Sequence, residues 1–229
     1  MKTNDAIVLF SGGIDCSLAA CILSEQQYKV HLVHYINGTS ISNSLYQIRY
    51  NELKCVLGDD MISLTELKIP GLFRKLSLSN IEQDFKKYEN NMICLGCRMG
   101  MHVETIVYAL KNNIQTVADG SIHYQSHFPE QSSAALHLFK QLYKKYGIDF
   151  INPVLDIKEK ENVKYRLLDY GISIQSMEDT CLFSNTFSKS CDENIKAFIA
   201  ERLDFCYDYI ERKSKFAYAF PKNERISNF

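Results

Sequence analysis

The sequence has almost no net charge, little sign of a long apolar run, and no recognisable signal-peptide core in its first residues. Its 26 lysine and arginine residues nearly balance 27 aspartate and glutamate residues, which leaves a formal charge of −1. No global positive field marks a nucleic-acid surface, so any contact with RNA must be local. No apolar run approaches the roughly 20 residues that span a bilayer, and residues 1–5 lead into a strand without a signal-peptide core. We expect a cytoplasmic protein without a membrane partner.

Two familiar nucleotide-binding motifs are also missing near the amino terminus. Neither GxxxxGK[ST] nor GxGxxG can be laid on residues 7–17, which argues against a kinase-like or dinucleotide-binding site. An apolar segment leads instead into Ser11, Gly12 and Gly13 and then into helix-forming residues. Adjacent glycines allow positive φ and close approach of the backbone to a ligand, and the first helical amides are partially positive. The stretch therefore predicts a polyphosphate-binding loop.

The order of the predicted elements indicates a parallel α/β sheet. Strand, helix and strand succeed one another, and this order requires crossover connections that are almost always right-handed. The predicted strands are 6–10, 30–36, 61–67, 115–118 and 150–155, and the predicted helices are 17–27, 44–57, 99–111, 131–146, 158–170 and 192–213. Residues 70–91 lose periodicity and are predicted to be an insert or mobile loop. We expect a five-stranded α/β domain in residues 1–171, with a helical extension in residues 172–229 packed on it.

The stretch Ser11-Gly12-Gly13-Ile14-Asp15-Cys16-Ser17 resembles the SGGxDS loop of the PP-loop ATP pyrophosphatase superfamily, whose members are adenine nucleotide alpha-hydrolase-like. The resemblance implies a Rossmann-like fold, binding of ATP and Mg²⁺, and attack of a substrate oxygen on the α-phosphate. Pyrophosphate leaves, and a nucleophile then displaces AMP. The implied ATP site comprises Ser11, Gly12, Gly13, Asp15, Cys16, Ser17 and Ile36, with Asp15 also catalytic. Cys16 departs from the usual serine, and a thiol is a weaker hydrogen-bond donor.

Asp119 and Gly120 follow the fourth predicted strand, at the edge of the sheet that faces the loop. A carboxylate there could hold Mg²⁺ against phosphates, and a turn or helix cap is the alternative interpretation. Because relatives with this loop commonly have an acidic residue after the strand, the resemblance implies a catalytic role for Asp119. His123, Tyr124 and Gln125 follow and could recognise a base or transfer a proton.

Eight cysteines in an intracellular chain of 229 residues indicate metal, cluster or sulfur chemistry. Cys94 and Cys97 form a CxxC pair at a predicted helix start, where the helix dipole stabilises thiolates. Cys181 follows 84 residues after Cys97. Cys191 follows ten residues later and could complete a four-thiolate zinc site.

This cysteine layout resembles that of the iron-sulfur tRNA 2-thiolation enzymes, in which a CxxC pair and a later cysteine hold a four-iron, four-sulfur (4Fe-4S) cluster. By position, Cys94, Cys97 and Cys181 would be the metal ligands, with Cys191 a possible fourth. Two other resemblances stay open. The 7-cyano-7-deazaguanine synthases have similar length and a structural Zn²⁺, and the disulfide-relay tRNA thiouridylases would use Cys97 and Cys181 to transfer persulfide sulfur.

The sequence as a whole predicts ATP-dependent adenylation of a carbonyl oxygen on a nucleobase-like substrate, followed by sulfur transfer through a cysteine-bound iron-sulfur cluster. The expected partners are ATP, a nucleobase-like small molecule or tRNA, a sulfur donor and a second copy in a homodimer. The alternative enzyme is an amide- or nitrile-forming ligase with structural zinc. The alternative without catalysis is a nucleotide-binding iron-sulfur sensor.

Overall fold

Five parallel strands form the central sheet in a computed structural model that describes residues 4–41, 44–183 and 189–219, without the side chains of residues 216–219. The strands are β1 (Asn4–Leu9), β2 (Tyr28–Ile36), β3 (Ile62–Lys68), β4 (Thr116–Ala118) and β5 (Asp149–Ile151). They lie in the order β3-β2-β1-β4-β5, and every pairing is parallel. The predicted fold class, a five-stranded parallel α/β sheet flanked by helices, is confirmed.

Helices cover both faces of this sheet. They are α1 (Ile14–Glu25), α2 (Leu45–Leu57), α3 (Pro70–Phe73), a π-helix (Arg74–Leu78), α4 (Ile81–Tyr88), α5 (Ile93–Asn112), α6 (Ser133–Lys145), α7 (Lys160–Asp169) and α8 (Asp192–Ala219). One apolar core joins α1, α2 and α7 to the sheet, and a second core joins α5, α6 and α8 to its other face. The carboxy-terminal helix α8 thus packs into the same core as α5 and α6.

The position of strand β1 in the middle of the sheet determines where a ligand-binding crevice lies. Ala6 and Val8 pack into the core of α1, and Ile7 and Leu9 pack into the core of α5, because both faces of a parallel sheet are covered. The chain runs outward from β1 to β2 and β3 and later returns to β4 on the other side of β1. This reversal leaves a crevice at the carboxyl ends of β1 and β4, where ligands bind in open α/β sheets.

Residues 70–91, predicted to be an insert or mobile loop, are not a loop, because this stretch forms α3, the π-helix and α4. Pro70 lies in the first turn of α3, and Phe73 and Leu76 are buried. In α4, Asp84 accepts a hydrogen bond from Arg202 at 2.5 Å in a largely buried ion pair. Helix α3 and the π-helix are too short to show a clear 3.6-residue period, whereas Ile81, Phe85 and Tyr88 of α4 recur at helical spacing and could have indicated that helix.

Helix α5 is the core helix of its layer. By length and composition it is the helix within the described residues that could cross a membrane, but 67% of its apolar window is buried inside the protein. Leu95, Met99 and Val103 are fully buried against the sheet and its neighbouring helices. The helix begins at Ile93, six residues before the predicted start, so that the CxxC pair lies in its first turns.

Candidate active site

A cleft of about 170 Å³ opens at the carboxyl ends of β1 and β2. Ser11, Asp15 and Cys16 from the loop and first turn after β1 form one wall. Other walls come from β2, the start of α5, the loop after β4 and Glu178. The cleft therefore lies where the sequence places a polyphosphate site.

The loop itself has the conformation that its glycines allow. Gly12 has φ +90°, and a Cβ there would lie 2.5 Å from the Met177 carbonyl oxygen and 2.8 Å from the Tyr46 Cα. Gly13 precedes the first residue of α1 and supplies no side-chain cap, so the first helical amides keep their capacity to bind an anion. The Ser11 hydroxyl accepts a hydrogen bond from the Gly13 N–H at 3.3 Å.

Cys16 and Ser17 both direct their side chains to the Gly13 carbonyl oxygen. The Ser17 hydroxyl donates to it at 2.5 Å, and the Cys16 thiol donates at 3.3 Å. Cys16 still lines the cleft, whereas Ser17 is fully buried and lies outside its lining. The ATP contact expected of Ser17 stays a prediction, and it would require the hydroxyl to leave the Gly13 carbonyl oxygen.

At the end of β2, His34 and Tyr35 line the cleft, and the expected Ile36 does not. The Ile36 carbonyl oxygen accepts from the Ile69 N–H at 2.8 Å and thus continues the sheet. His34 Nδ1 donates to the Phe10 carbonyl oxygen at 3.1 Å. Burial lowers the pKa of His34, so this ring is neutral at neutral pH.

Asp15 is bound by two neighbours from the loop after β4. Its carboxylate accepts from the Tyr124 hydroxyl at 2.5 Å and from the Gln125 amide at 3.3 Å. Burial raises the pKa of Asp15 to about 6; the Tyr124 bond opposes this rise, Glu178 adds to it and Lys160 opposes it. The residue lines the cleft, as expected of a group that faces Mg-ATP.

Asp119 follows β4 as expected, but its side chain lies outside the lining of the cleft. It is fully buried, and its carboxylate accepts from the Ser121 N–H at 2.9 Å, the Asn152 amide at 2.5 Å and the Arg98 guanidinium at 2.5 Å. Burial opposes its ionisation, but Arg98, His102 and Ser121 together lower the pKa of Asp119. Protein donors thus surround the carboxylate, and the catalytic role expected of Asp119 stays a prediction.

Asp119 holds Arg98 in position, and the sequence analysis did not single out Arg98. Arg98 is 21% exposed and lines the cleft directly after the CxxC pair. Its Nε atom is buried and has no hydrogen-bond partner among the described residues. Its position beside a CxxC motif is the sequence signal that could have identified it.

Glu178 is a second residue that the sequence analysis left without a role. Its carboxylate accepts from the Ser11 hydroxyl at 2.6 Å and from the Ser176 hydroxyl at 3.3 Å. A Cβ on Gly13 would lie 2.4 Å from its Oε1 atom, and the preceding Met177 N–H donates to the Gly12 carbonyl oxygen at 3.1 Å. A carboxylate of the protein thus lies against the loop that is expected to bind phosphate.

The predicted cysteines meet at the end of β2, beside this loop. The Asn37 amide donates to the Cys97 sulfur at 3.4 Å, and the Thr39 hydroxyl lies 3.1 Å from the Cys181 sulfur. The same Thr39 hydroxyl donates to the Asn37 side-chain oxygen at 2.8 Å. Ser40 pairs with Cys181 in an antiparallel bridge. Asn37 and Thr39 therefore connect two cysteines that are far apart in the sequence.

Cys94 lies three residues before Cys97 in the first turns of α5, so the two cysteines share one face of the helix. Burial raises the pKa of the Cys97 thiol to about 12; the Asn37 hydrogen bond opposes the rise, and charge on Cys94 or Cys181 adds to it. Within the described residues, no three Cys, His, Asp or Glu side chains are already arranged to hold a metal ion. Cys191 is exposed just before α8. A metal would have to bind with loss of the thiol protons and adjustment of the side chains.

The sequence and the fold are similar to known proteins. A family model described as thiamine biosynthesis protein (ThiI) matches residues 2–198. No curated protein sequence matches the chain significantly.

Among solved structures, the chain is similar to a 4-thiouridine synthetase determined as an RNA complex with bound ATP. The identity is 14%, the TM-score is 0.63, and the match covers 94% of this chain and 53% of that one. This chain thus spans about half the length of that protein, and the likeness confirms the α/β fold. A predicted subunit of tRNA methyltransferase from Methanocaldococcus jannaschii is 20% identical, with a TM-score of 0.46, over 86% of this chain and 88% of that one.

Proposed function

The chain belongs to the ThiI family of PP-loop enzymes, and from this premise we propose that it is an ATP-dependent tRNA sulfurtransferase. In this proposal it adenylates a carbonyl oxygen of a nucleobase and replaces that oxygen with sulfur. The proposed location is the cytoplasm, and the expected homodimer stays a prediction.

The observation that supports this proposal best is the shared edge of the sheet. The phosphate loop follows β1, and Asn37 and Thr39, which contact Cys97 and Cys181, follow the adjacent strand β2. Residues 178–181 join the two regions directly. Glu178 contacts the phosphate loop, and Cys181, three residues later, pairs with Ser40 in the segment after β2. An adenylated carbonyl formed at the loop would therefore lie close to a sulfur source.

The residues of the cleft have definite tasks in this reaction. The amides of Gly13 and the first turn of α1 bind the phosphates, and Asp15 faces Mg-ATP. The substrate oxygen attacks the α-phosphorus, the bond to the β-phosphate oxygen breaks, and pyrophosphate leaves. Sulfur then attacks the activated carbon, and AMP departs with the former carbonyl oxygen. Arg98 is the cation in the cleft that can stabilise the negative charge that develops on the transferred phosphoryl group.

Cys94, Cys97 and Cys181 are the residues that would hold the iron-sulfur cluster. Their sulfur atoms are the donor type that iron-sulfur clusters require, and three thiols in one neighbourhood, two of them contacted by Asn37 and Thr39, fit such a group. When bound, a cluster with three protein ligands supplies an iron at which sulfide can be held for transfer. The N–H of Asn37 would donate to a ligand sulfur, which is a common way of tuning such sites.

The proposal is tested with protein purified without oxygen and supplied with Mg-ATP, sulfide and unmodified tRNA. We expect brown protein with iron and labile sulfide, one pyrophosphate released per thionucleoside, and thionucleoside in the digested tRNA by mass spectrometry. Pyrophosphate release distinguishes the enzyme from a nucleotide-binding sensor. Colourless protein with stoichiometric zinc, inactive on tRNA but active on a free nucleobase derivative, would replace the proposal with the ligase alternative.

A change at Tyr124 should move the pH dependence of the reaction. Because the pKa of Asp15 is about 6, its carboxylate form is lost as the pH falls through 6, and Mg-ATP use should fall with it. The Tyr124 hydroxyl stabilises that carboxylate, so Tyr124→Phe should raise the Asp15 pKa and shift the acidic limb of kcat/KM to higher pH. Pyrophosphate release measured across the limb gives the shift. Tyr165→Phe, at an exposed tyrosine of α7, is the control, and an identical limb in Tyr124→Phe would contradict the assignment.

A further inference from the structure

We infer that Glu178 occupies the position of a nucleotide phosphate in the nucleotide-free protein, and that ATP must expel it. The expulsion moves residues 173–183, here called the strap, and with them Cys181. This inference rests on the nucleotide-binding part of the proposed function and adds a coupling between the ATP site and the cysteine site.

The position of the Glu178 carboxylate is that of an anion bound to the loop. Oε1 accepts from the Ser11 hydroxyl at 2.6 Å and lies within contact distance of the Gly13 Cα region, at the open amino terminus of α1. A carboxylate and a phosphate share acceptor oxygens and negative charge, so a phosphate here would compete with Glu178 for the Ser11 hydroxyl and for the positive end of α1. A phosphate cannot approach Gly13 while Glu178 remains there, because the two anions would overlap and repel each other.

The strap crosses the site and is hydrogen-bonded to the rest of the fold near both of its ends. At its start, the fully buried Arg49 donates to the Ser173 carbonyl oxygen at 2.7 Å and also to the Gln175 carbonyl oxygen. At its end, the Leu182 N–H donates to the Thr39 carbonyl oxygen at 3.0 Å, and the Ile41 N–H donates to the Thr180 carbonyl oxygen at 2.8 Å. Glu178 lies between these ends and is the charged contact of the strap with the loop.

Displacement of Glu178 therefore reaches Cys181 along a short path. The next residue is Asp179, whose Oδ2 atom lies 3.7 Å from the Nε2 atom of His34, and His34 lines the cleft. Cys181 is three residues beyond Glu178 and contacts Thr39. Because the Met177 N–H also bonds the Gly12 carbonyl oxygen, expulsion of Glu178 displaces the strap backbone, strains the hydrogen bonds at Thr180 and Leu182, and shifts the Cys181 thiol between them relative to Cys97.

The first test compares the affinity of Mg-ATP for wild-type protein, Glu178→Gln and Glu178→Ala by calorimetry. We expect the dissociation constant to fall roughly tenfold in Glu178→Ala, because the nucleotide no longer competes with a charge-assisted hydrogen bond, and to fall less in Glu178→Gln. Glu82→Gln, at an exposed carboxylate on α4, should leave it unchanged. Weaker binding in both Glu178 variants would make Glu178 a nucleotide or Mg²⁺ contact and overturn the inference. Absence of binding in every protein would overturn the proposed function as well.

The second test follows the strap by hydrogen exchange of peptides within residues 173–183. We expect saturating Mg-ATP to raise exchange in wild-type protein several-fold, because the Met177 N–H leaves the Gly12 carbonyl oxygen. Glu178→Ala should show this faster exchange before ATP is added. Slower exchange on ATP binding would mean that the strap closes over the nucleotide and would overturn the inference, whether or not tRNA is thiolated.

Discussion

Single replacement of Cys94, Cys97 or Cys181 by alanine is expected to remove iron and thiolation together while ATP still binds. A cluster with three protein ligands loses most of its retention when one ligand is lost, so the bound iron should fall at least ~10-fold. The phosphate loop is built from a separate backbone segment after β1 and does not need the cysteines. Iron analysis, absorption spectra and calorimetry with Mg-ATP on the same preparations give the three readouts.

Cys191→Ala and Cys55→Ala are the controls for this series. Both cysteines are exposed in the described structure, and neither should be needed for iron or for product. If Cys191→Ala loses metal as completely as the other three variants, a closed four-thiolate site replaces the three-cysteine assignment. If the three variants keep their iron, the cysteine assignment itself is wrong.

Much of the fold can be predicted from the sequence because local signals and the global fold agree. The strand at residues 6–10 is apolar throughout, as a strand covered on both faces must be, and Gly12 and Gly13 mark its end. Helix α3 and the π-helix could not be predicted in the same way. Their stability depends on packing such as that of Phe73 and Leu76 in the core, whose partners are distant in the sequence.

The residues of the candidate site show the same contrast between local sequence signals and contacts made across the fold. The CxxC pair and the distant Cys181 could be grouped from their spacing and a family resemblance, and the structure brings them into one neighbourhood. The roles of Asn37 and Glu178 could not be found, because each depends on a contact made across the fold. An isolated carboxylate or amide in a sequence does not reveal which distant group it meets.

Asp119 shows that the position of a residue in the chain does not determine what its side chain contacts. The residue does follow β4 and lies beside the site, since a Cβ on the next residue, Gly120, would lie 2.5 Å from the Cys16 nitrogen. The sequence could not show that the side chain turns inward to Arg98, Ser121 and Asn152. Direct binding of Mg²⁺ and positioning of Arg98 predict different outcomes for the same substitution.

Asp119→Ala is expected to destabilise the protein strongly, because it leaves the Arg98 charge without its carboxylate in a buried site. Loss of one partner of a buried ion pair costs about 3–5 kcal/mol, which corresponds to a fall of roughly 6–20 °C in Tm for a chain of this size. Since the pKa of Asp119 is lowered in the folded protein, its stabilising contribution is present at neutral pH and is lost as the pH falls through that lowered pKa. The Tm of Asp149→Ala, at an exposed carboxylate of β5, should barely change.

Asp119→Asn then separates the two roles, because the amide keeps the shape and one acceptor oxygen but loses the charge and replaces the second acceptor oxygen with an NH2 donor. If Asp119 positions Arg98, this variant should lose part of the stability and should release pyrophosphate more slowly, with the Mg²⁺ concentration for half-maximal rate unchanged. Arg98→Lys, which keeps a cation but loses the planar donor geometry at Asp119 and Ser121, should reproduce that slower rate at unchanged Mg²⁺ dependence. If Asp119→Asn instead needs much more Mg²⁺ while Arg98→Lys is unaffected, Asp119 is a direct metal ligand. That result would contradict the assignment of Asp119 as the residue that positions Arg98.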